Sequence, residues 1–125
     1  VYLRKAYDKG IVLGGASAGS ICWFEQGVTD SVAVALTAMP CLGILKGSNC
    51  PHYNSEPLRR PTYRKFVASG KIMDGMAADD GAALHFVDGK LKQAVASLPR
   101  AKAWQVSRNK RGFIEKALPT RYLGK

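Results

Sequence analysis

The stretch Ile11-Val12-Leu13-Gly14-Gly15-Ala16-Ser17-Ala18-Gly19 decides how the rest of the chain is read. Three apolar residues run directly into paired glycines, the pattern of a short, buried strand of a parallel sheet that ends in a tight turn. Residues 17–26 can then form a helix, which Gly27 is placed to close. A serine at such a strand-to-helix junction, inside Gly-x-Ser-x-Gly, is pushed into a strained and exposed position, and its small neighbours let the backbone fold that tightly. The helix N-terminus faces the serine oxygen, and the Ala18 amide can donate to a developing oxyanion. The same residues also suit a helix N-capping serine or an anion-binding loop, so the motif needs partners elsewhere before it counts as a nucleophile.

Working outward, residues 1–9 carry Leu3, Ala6 and Tyr7 at helical spacing, with Gly10 as the stop. Residues 28–39 are β-branched and alanine-rich and read as a loop plus a strand stopped by Pro40. Residues 43–45 form another short strand, which delivers the chain to the turn-rich segment 48–52. Residues 55–69 read as a helix with Ser55 as N-cap and Gly70 after its end. Beyond Asp79-Asp80-Gly81 the pattern changes to strands at 82–87, 91–98, 101–107 and 113–118, and Asp88-Gly89 between the first two is a hairpin signal. The chain thus reads as helices and short strands followed by a C-terminal β-hairpin region.

At 125 residues the chain supports one domain with a single core, and 46% hydrophobic with 22% charged residues excludes wholesale disorder. The longest apolar run, 32–39, is far short of the roughly 18 residues needed to span a bilayer, and no cationic segment leads into an apolar one at the start. Membrane contact is not expected. Cys22, Cys41 and Cys50 are an odd number without Cys-x-x-Cys spacing, which argues against a disulfide framework and a zinc site and makes a reducing, cytoplasmic setting the default. Ten of the nineteen Lys and Arg residues lie from Lys90 onward beside Glu115 as the one acid there, so nearly all of the net charge of +10 sits in that third. Such a basic third suits either a solvated hairpin face or a contact with nucleic acid or a macromolecular assembly. Without interleaved exposed aromatics, the solvated face is the expectation and nucleic-acid binding is not.

A nucleophilic serine needs a base, and the chain has two histidines. His85 lies within the strand 82–87, where a structural role is expected. His52 lies in a polar loop, where folds place catalytic groups, and is the preferred base. Asp30, Glu56, Asp79 and Asp80 are the carboxylates available to orient its ring, and composition does not choose among them.

Taken together, Gly14-Gly15-Ala16-Ser17-Ala18-Gly19-Ser20, Cys50-Pro51-His52-Tyr53-Asn54, Arg59-Arg60-Pro61-Thr62-Tyr63, Ala78-Asp79-Asp80-Gly81 and the closing Pro119-Thr120-Arg121-Tyr122-Leu123 resemble the peptidase E, or aspartyl dipeptidase, family of serine peptidases. The resemblance implies a class I glutamine amidotransferase-like α/β fold, a parallel sheet with flanking helices, and a serine exopeptidase that cleaves short peptides, dipeptides above all, with an acidic N-terminal residue. It implies Ser17 as nucleophile, His52 as base and Asp80 as acid, with Asp79 as the other candidate because some members carry Glu in this setting. Asp30 resembles a carboxylate that places the substrate's amino group, and Arg60, or else Arg59, resembles the arginine that reads the substrate's acidic side chain. No cofactor or metal is implied.

Family members also carry an N-terminal α/β half with a Gly-rich loop resembling a second oxyanion donor. Residues 1–125 are therefore expected to be the C-terminal part of a single peptidase domain, incomplete at its N-terminus: either a fragment or truncated product, or a chain whose other half is supplied by a partner or by self-association. The rival expectation is an inactive, truncated relative whose basic third binds RNA or an assembly.

Overall fold

The computed structural model describes residues 1–32 and 34–124. Its architecture is mixed α/β, with two mixed sheets and few helices. Helix α1 (Tyr2–Asp8) and the single turn α2 (Ala18–Ile21) precede β1 (Phe24–Thr29), β2 (Thr37–Pro40) and β3 (Leu45–Cys50). The one long helix, α3 (Arg59–Ser69), leads to β4 (Gly75–Ala78). Two hairpins follow, β5 (Ala82–Val87) with β6 (Lys90–Ala96) and β7 (Ala103–Asn109) with β8 (Gly112–Ala117), and β9 (Thr120–Tyr122) ends the described chain.

The larger sheet has the order β2-β1-β3-β4-β7-β8. Its centre, β1, β3 and β4, is parallel, and antiparallel strands flank it on both sides. The smaller sheet is β5-β6-β9. The core lies where α3 lays Tyr63, Phe66 and Val67 against Val28, Cys50, Ala77 and Val106 of the sheet. Gly75 makes the central pairing close, since a Cβ there would stand 2.0 Å from the Ser48 carbonyl oxygen and force β4 away from β3.

Both expected C-terminal hairpins are present, as is the helix ending at Gly70, which takes a left-handed conformation at φ 76°. Several local expectations are corrected. Residues 11–13 are not a strand. Ile11 and Val12 are 56% and 95% exposed, because β1 and β3 pair directly and no described strand lies beside the segment. The helix expected over 17–26 stops at Ile21, because Phe24 and Val28 bury themselves in β1 and that tertiary gain overrides helical spacing. Residues 48–50, read as turn-rich, continue β3, and β4 and β9 were not anticipated. Helix α3 starts at Arg59 without a side-chain cap, since Ser55 lies in a preceding turn closed by the Glu56 amide donating to the His52 carbonyl. The sheet is mixed where a parallel one was expected.

Glu115 fastens α3 to β8. Its carboxylate accepts from Arg64 Nε (2.8 Å), Arg64 Nη2 (2.5 Å), the Tyr53 hydroxyl (2.5 Å) and Arg60 Nη2. Burial pushes this carboxyl up, but the hydrogen bonds from Arg64, Arg60 and Tyr53 outweigh it and bring it down from 4.5 to about 2. A carboxyl depressed on folding contributes stability above its unfolded value and loses it as pH falls through the folded one. Glu115→Gln should therefore destabilise the fold by about 2–4 kcal/mol at neutral pH. The gap from wild type should close between about pH 5 and about pH 2. Urea unfolding at several pH values checks this, and a penalty independent of pH would contradict it.

Candidate active site

His52 and Asp80 follow the C-terminal ends of β3 and β4, two neighbouring parallel strands. Loops at that end of a parallel pair naturally converge on one site. The Tyr53 amide donates to the Ala78 carbonyl (3.1 Å), which ties the His52 loop to the end of β4. Helix α2 is brought over the same end by a buried amide. Asn49 in β3 accepts from Ser20 Oγ at 2.9 Å and donates from Nδ2 to the Met76 carbonyl of β4 at 3.0 Å. Turn, strand and strand are thereby locked in one register.

At the N-cap of α2, Ser17 has φ 53° and ψ −117°, a region that L-residues seldom occupy. Its turn is tight enough that a Cβ on Gly15 would fall 2.2 Å from the Gly19 carbonyl oxygen. His52 also has a positive φ, 55°. These two strained residues meet: Ser17 Oγ lies 2.9 Å from His52 Nε2, and His52 Nδ1 lies 2.7 Å from Asp80 Oδ1. Hydrogen bonds from the Ser55 hydroxyl and from His52 outweigh partial burial and hold the Asp80 carboxyl below its ordinary range, so it is ionised at neutral pH. An ionised Asp80 fixes the proton on Nδ1 and leaves Nε2 free to accept from Ser17. The Ala18 N–H, the first amide of α2, has no partner among the described residues.

The four candidate carboxylates separate cleanly. Asp80 reaches His52, whereas Asp79 is buried and turned the other way, its oxygens accepting from the Lys102 amide (3.0 Å) and the Trp104 indole N–H (3.2 Å). Glu56 binds Arg59 Nε at 2.6 Å. Asp30 stands 3.6 Å from Arg59 Nη2.

Neither arginine is brought to the Ser17–His52–Asp80 chain. Arg59 is 4% exposed and donates to the Val28 carbonyl (2.8 Å) as well as to Glu56, so it is a structural tie between β1 and the loop before α3. The guanidinium of Arg60 turns to Glu115 and stacks on Trp104, 4.3 Å from the ring centroid. Both guanidiniums, expected to read a substrate's acidic side chain, are engaged by carboxylates of this chain. His85 is exposed on β5 and near Gln93, outside the site. Sequence reasoning missed Asn49 and Asn54. Asn49 sat in a segment read as turn, and an amide gives no signal until the strands it joins are known. Among the described residues no group of three or more His, Cys, Asp or Glu could hold a metal ion, and no helix is long and apolar enough to cross a membrane.

A serine, a histidine and a carboxylate in hydrogen-bonded sequence, with the serine strained at a helix start, form an arrangement that can support nucleophile-and-base chemistry. Residues 1–94 match peptidase family S51, and the chain belongs to that family. It is 50% identical over 122 residues to a protein of Bacillus subtilis (strain 168) described as "Uncharacterized peptidase YgaJ". That alignment takes in 98% of this chain and 53% of the relative, so the chain spans about half the length of the curated protein it matches.

The backbone at Ser17 makes a measurable claim. Ser17→Gly removes strain of about 1–3 kcal/mol. It also removes a hydrogen bond worth about 1 kcal/mol. Ser17→Gly is therefore expected to be more stable in denaturant titration than Ser17→Ala, which loses the same hydrogen bond but keeps the strained backbone; a glycine variant no more stable than the alanine one would show that the turn is not strained.

Proposed function

We propose that the protein is a serine exopeptidase that hydrolyses short peptides, dipeptides above all, with an acidic N-terminal residue. The carrying observation is the unbroken hydrogen-bonded chain from Ser17 through His52 to Asp80. In this mechanism His52 Nε2 takes the Ser17 proton as Oγ attacks the scissile carbonyl. The Ala18 N–H donates to the oxyanion. His52 then protonates the leaving amine, and water repeats the sequence to free the acyl group, with Asp80 holding the ring throughout.

The acidic preference rests on the family resemblance and is supported by local charge. Arg60 and Arg64 share the single carboxylate of Glu115, leaving one positive charge in excess, and Arg60 packs on Tyr53 and Trp104, the first beside His52 and the second bonded to Asp79. A surplus cation packed beside the His52 loop favours an acidic substrate over a neutral one. Exposed Asp30 is proposed to place the substrate's amino group.

For the intact protein we propose a class I glutamine amidotransferase-like domain. The remaining length of the relative corresponds to a part that would give residues 11–13 strand neighbours and supply a second oxyanion donor, from the same chain, from a partner or by self-association. Removing one such donor typically costs about 100- to 1000-fold in rate. Three free cysteines suit a reducing, cytoplasmic setting.

With the intact protein, Ser17→Ala and His52→Ala should each abolish turnover of Asp-Leu, and the double variant should be no worse than either, because the residues act as a unit. Ser17→Ala with wild-type turnover would end this reading. Wild-type kcat/KM should be higher for Asp-Leu than for Ala-Leu, and the ratio should fall as salt rises. Equal values at every ionic strength would remove the acidic preference.

A further inference from the structure

Asp80 is half exposed and sits in a turn, yet its carboxylate meets His52 at 2.7 Å. An exposed carboxylate on a tight turn has water as a competing partner, so something must hold the backbone that carries it. The structure assigns that task to Asn54, as a positioning residue that clamps the acid of the triad against the loop of its histidine. The side-chain Oδ1 of Asn54 accepts the backbone N–H of Asp80 at 2.9 Å, joining positions 26 residues apart.

Asn54 lies two residues after His52, so the clamp connects base and acid almost directly. It works with a second bond. The Tyr53 amide donates to the Ala78 carbonyl, so consecutive residues of the His52 loop grip the chain on both sides of Asp79. From the far side, Asp79 accepts from the Lys102 amide and donates its own amide to the Lys102 carbonyl. Asp80 is thus fixed by its backbone while its carboxylate is left to face His52.

The charged surroundings leave this task to Asn54. The ionisable side chain bonded to the Asp80 carboxylate is His52. Across a cavity of about 300 Å3 bounded by Asn54 and Asp80, the β6–β7 loop contributes Arg100, which makes no ion pair among the described residues. Glu56, on the same loop as Asn54, is engaged with Arg59. No other side chain bonds the Asp80 backbone N–H among the described residues.

This role rests on the proposed peptidase reading, but its test need not. In the intact protein, the proton on His52 Nδ1 bonded to an ionised Asp80 should give a low-field proton resonance, with His85 as the unaffected second imidazole. Asn54→Ala should broaden or abolish that resonance with a small change in Tm, and Asn54→Asp, which keeps an acceptor oxygen, should retain it. In the peptidase assay Asn54→Ala should lower kcat on the order of 10- to 100-fold with KM little changed, the signature of a misplaced catalytic group. Asn54→Asp should recover most of that loss. A resonance and a kcat unaltered in Asn54→Ala would overturn the clamp, as would their loss in a folded Asn54→Asp protein. Absence of peptide hydrolysis by wild type would instead sink the peptidase reading, and the resonance would still decide the role of Asn54.

Discussion

The site depends on the side chain of Asn49. It is completely buried, and its amide must satisfy both its donor and its acceptor inside the protein or cost the fold dearly. It does so by bridging Ser20, just after the turn that carries Ser17, to Met76 in β4. Three segments far apart in sequence thereby share one register. The parallel pairing of β3 and β4, close enough to demand glycine at position 75, then sets the distance between His52 and Asp80. A shift of either strand would therefore change the spacing of His52 and Asp80.

What was legible in the sequence was the set of residues that meet at the candidate site and the C-terminal hairpins. Gly-x-Ser-x-Gly carries its own local cause, since small residues permit the strained turn, and Ser17 has that backbone. Asp88-Gly89 likewise fixes a hairpin by local geometry, with Asp88 at φ 52° and Gly89 at φ 77°. The loop position of His52 and its meeting with Asp80 followed from motif order and resemblance. What failed was wherever tertiary pairing decides. Residues 11–13 have strand composition without described neighbours, and residues 22–26 have mixed patterning that the central position of β1 resolves in favour of a strand.

The arginines show a different limit. An Arg-Arg pair near a catalytic histidine reads equally well as a substrate fork or as internal ties, because a guanidinium binds any carboxylate of suitable geometry. Here Glu56 and Asp30 attend Arg59, while Glu115, 55 residues away in sequence, takes Arg60 and Arg64. Such long-range ion pairs leave no periodic mark. The cations of the basic third lie at the surface: Lys90, Lys92, Arg100, Lys102, Arg108, Lys110, Arg111, Lys116 and Arg121 are all exposed.

The central claim is that Ser17 is a nucleophile activated by His52, and covalent labelling tests it without choosing a substrate. Treating the intact protein with a fluorophosphonate, which phosphonylates an activated serine with loss of fluoride, and mapping the adduct by mass spectrometry reads that activation at a single atom. The account predicts one adduct on Ser17 that disappears in His52→Ala. No adduct on the folded wild-type protein, or an adduct on Ser17 that forms equally well without His52, would contradict it.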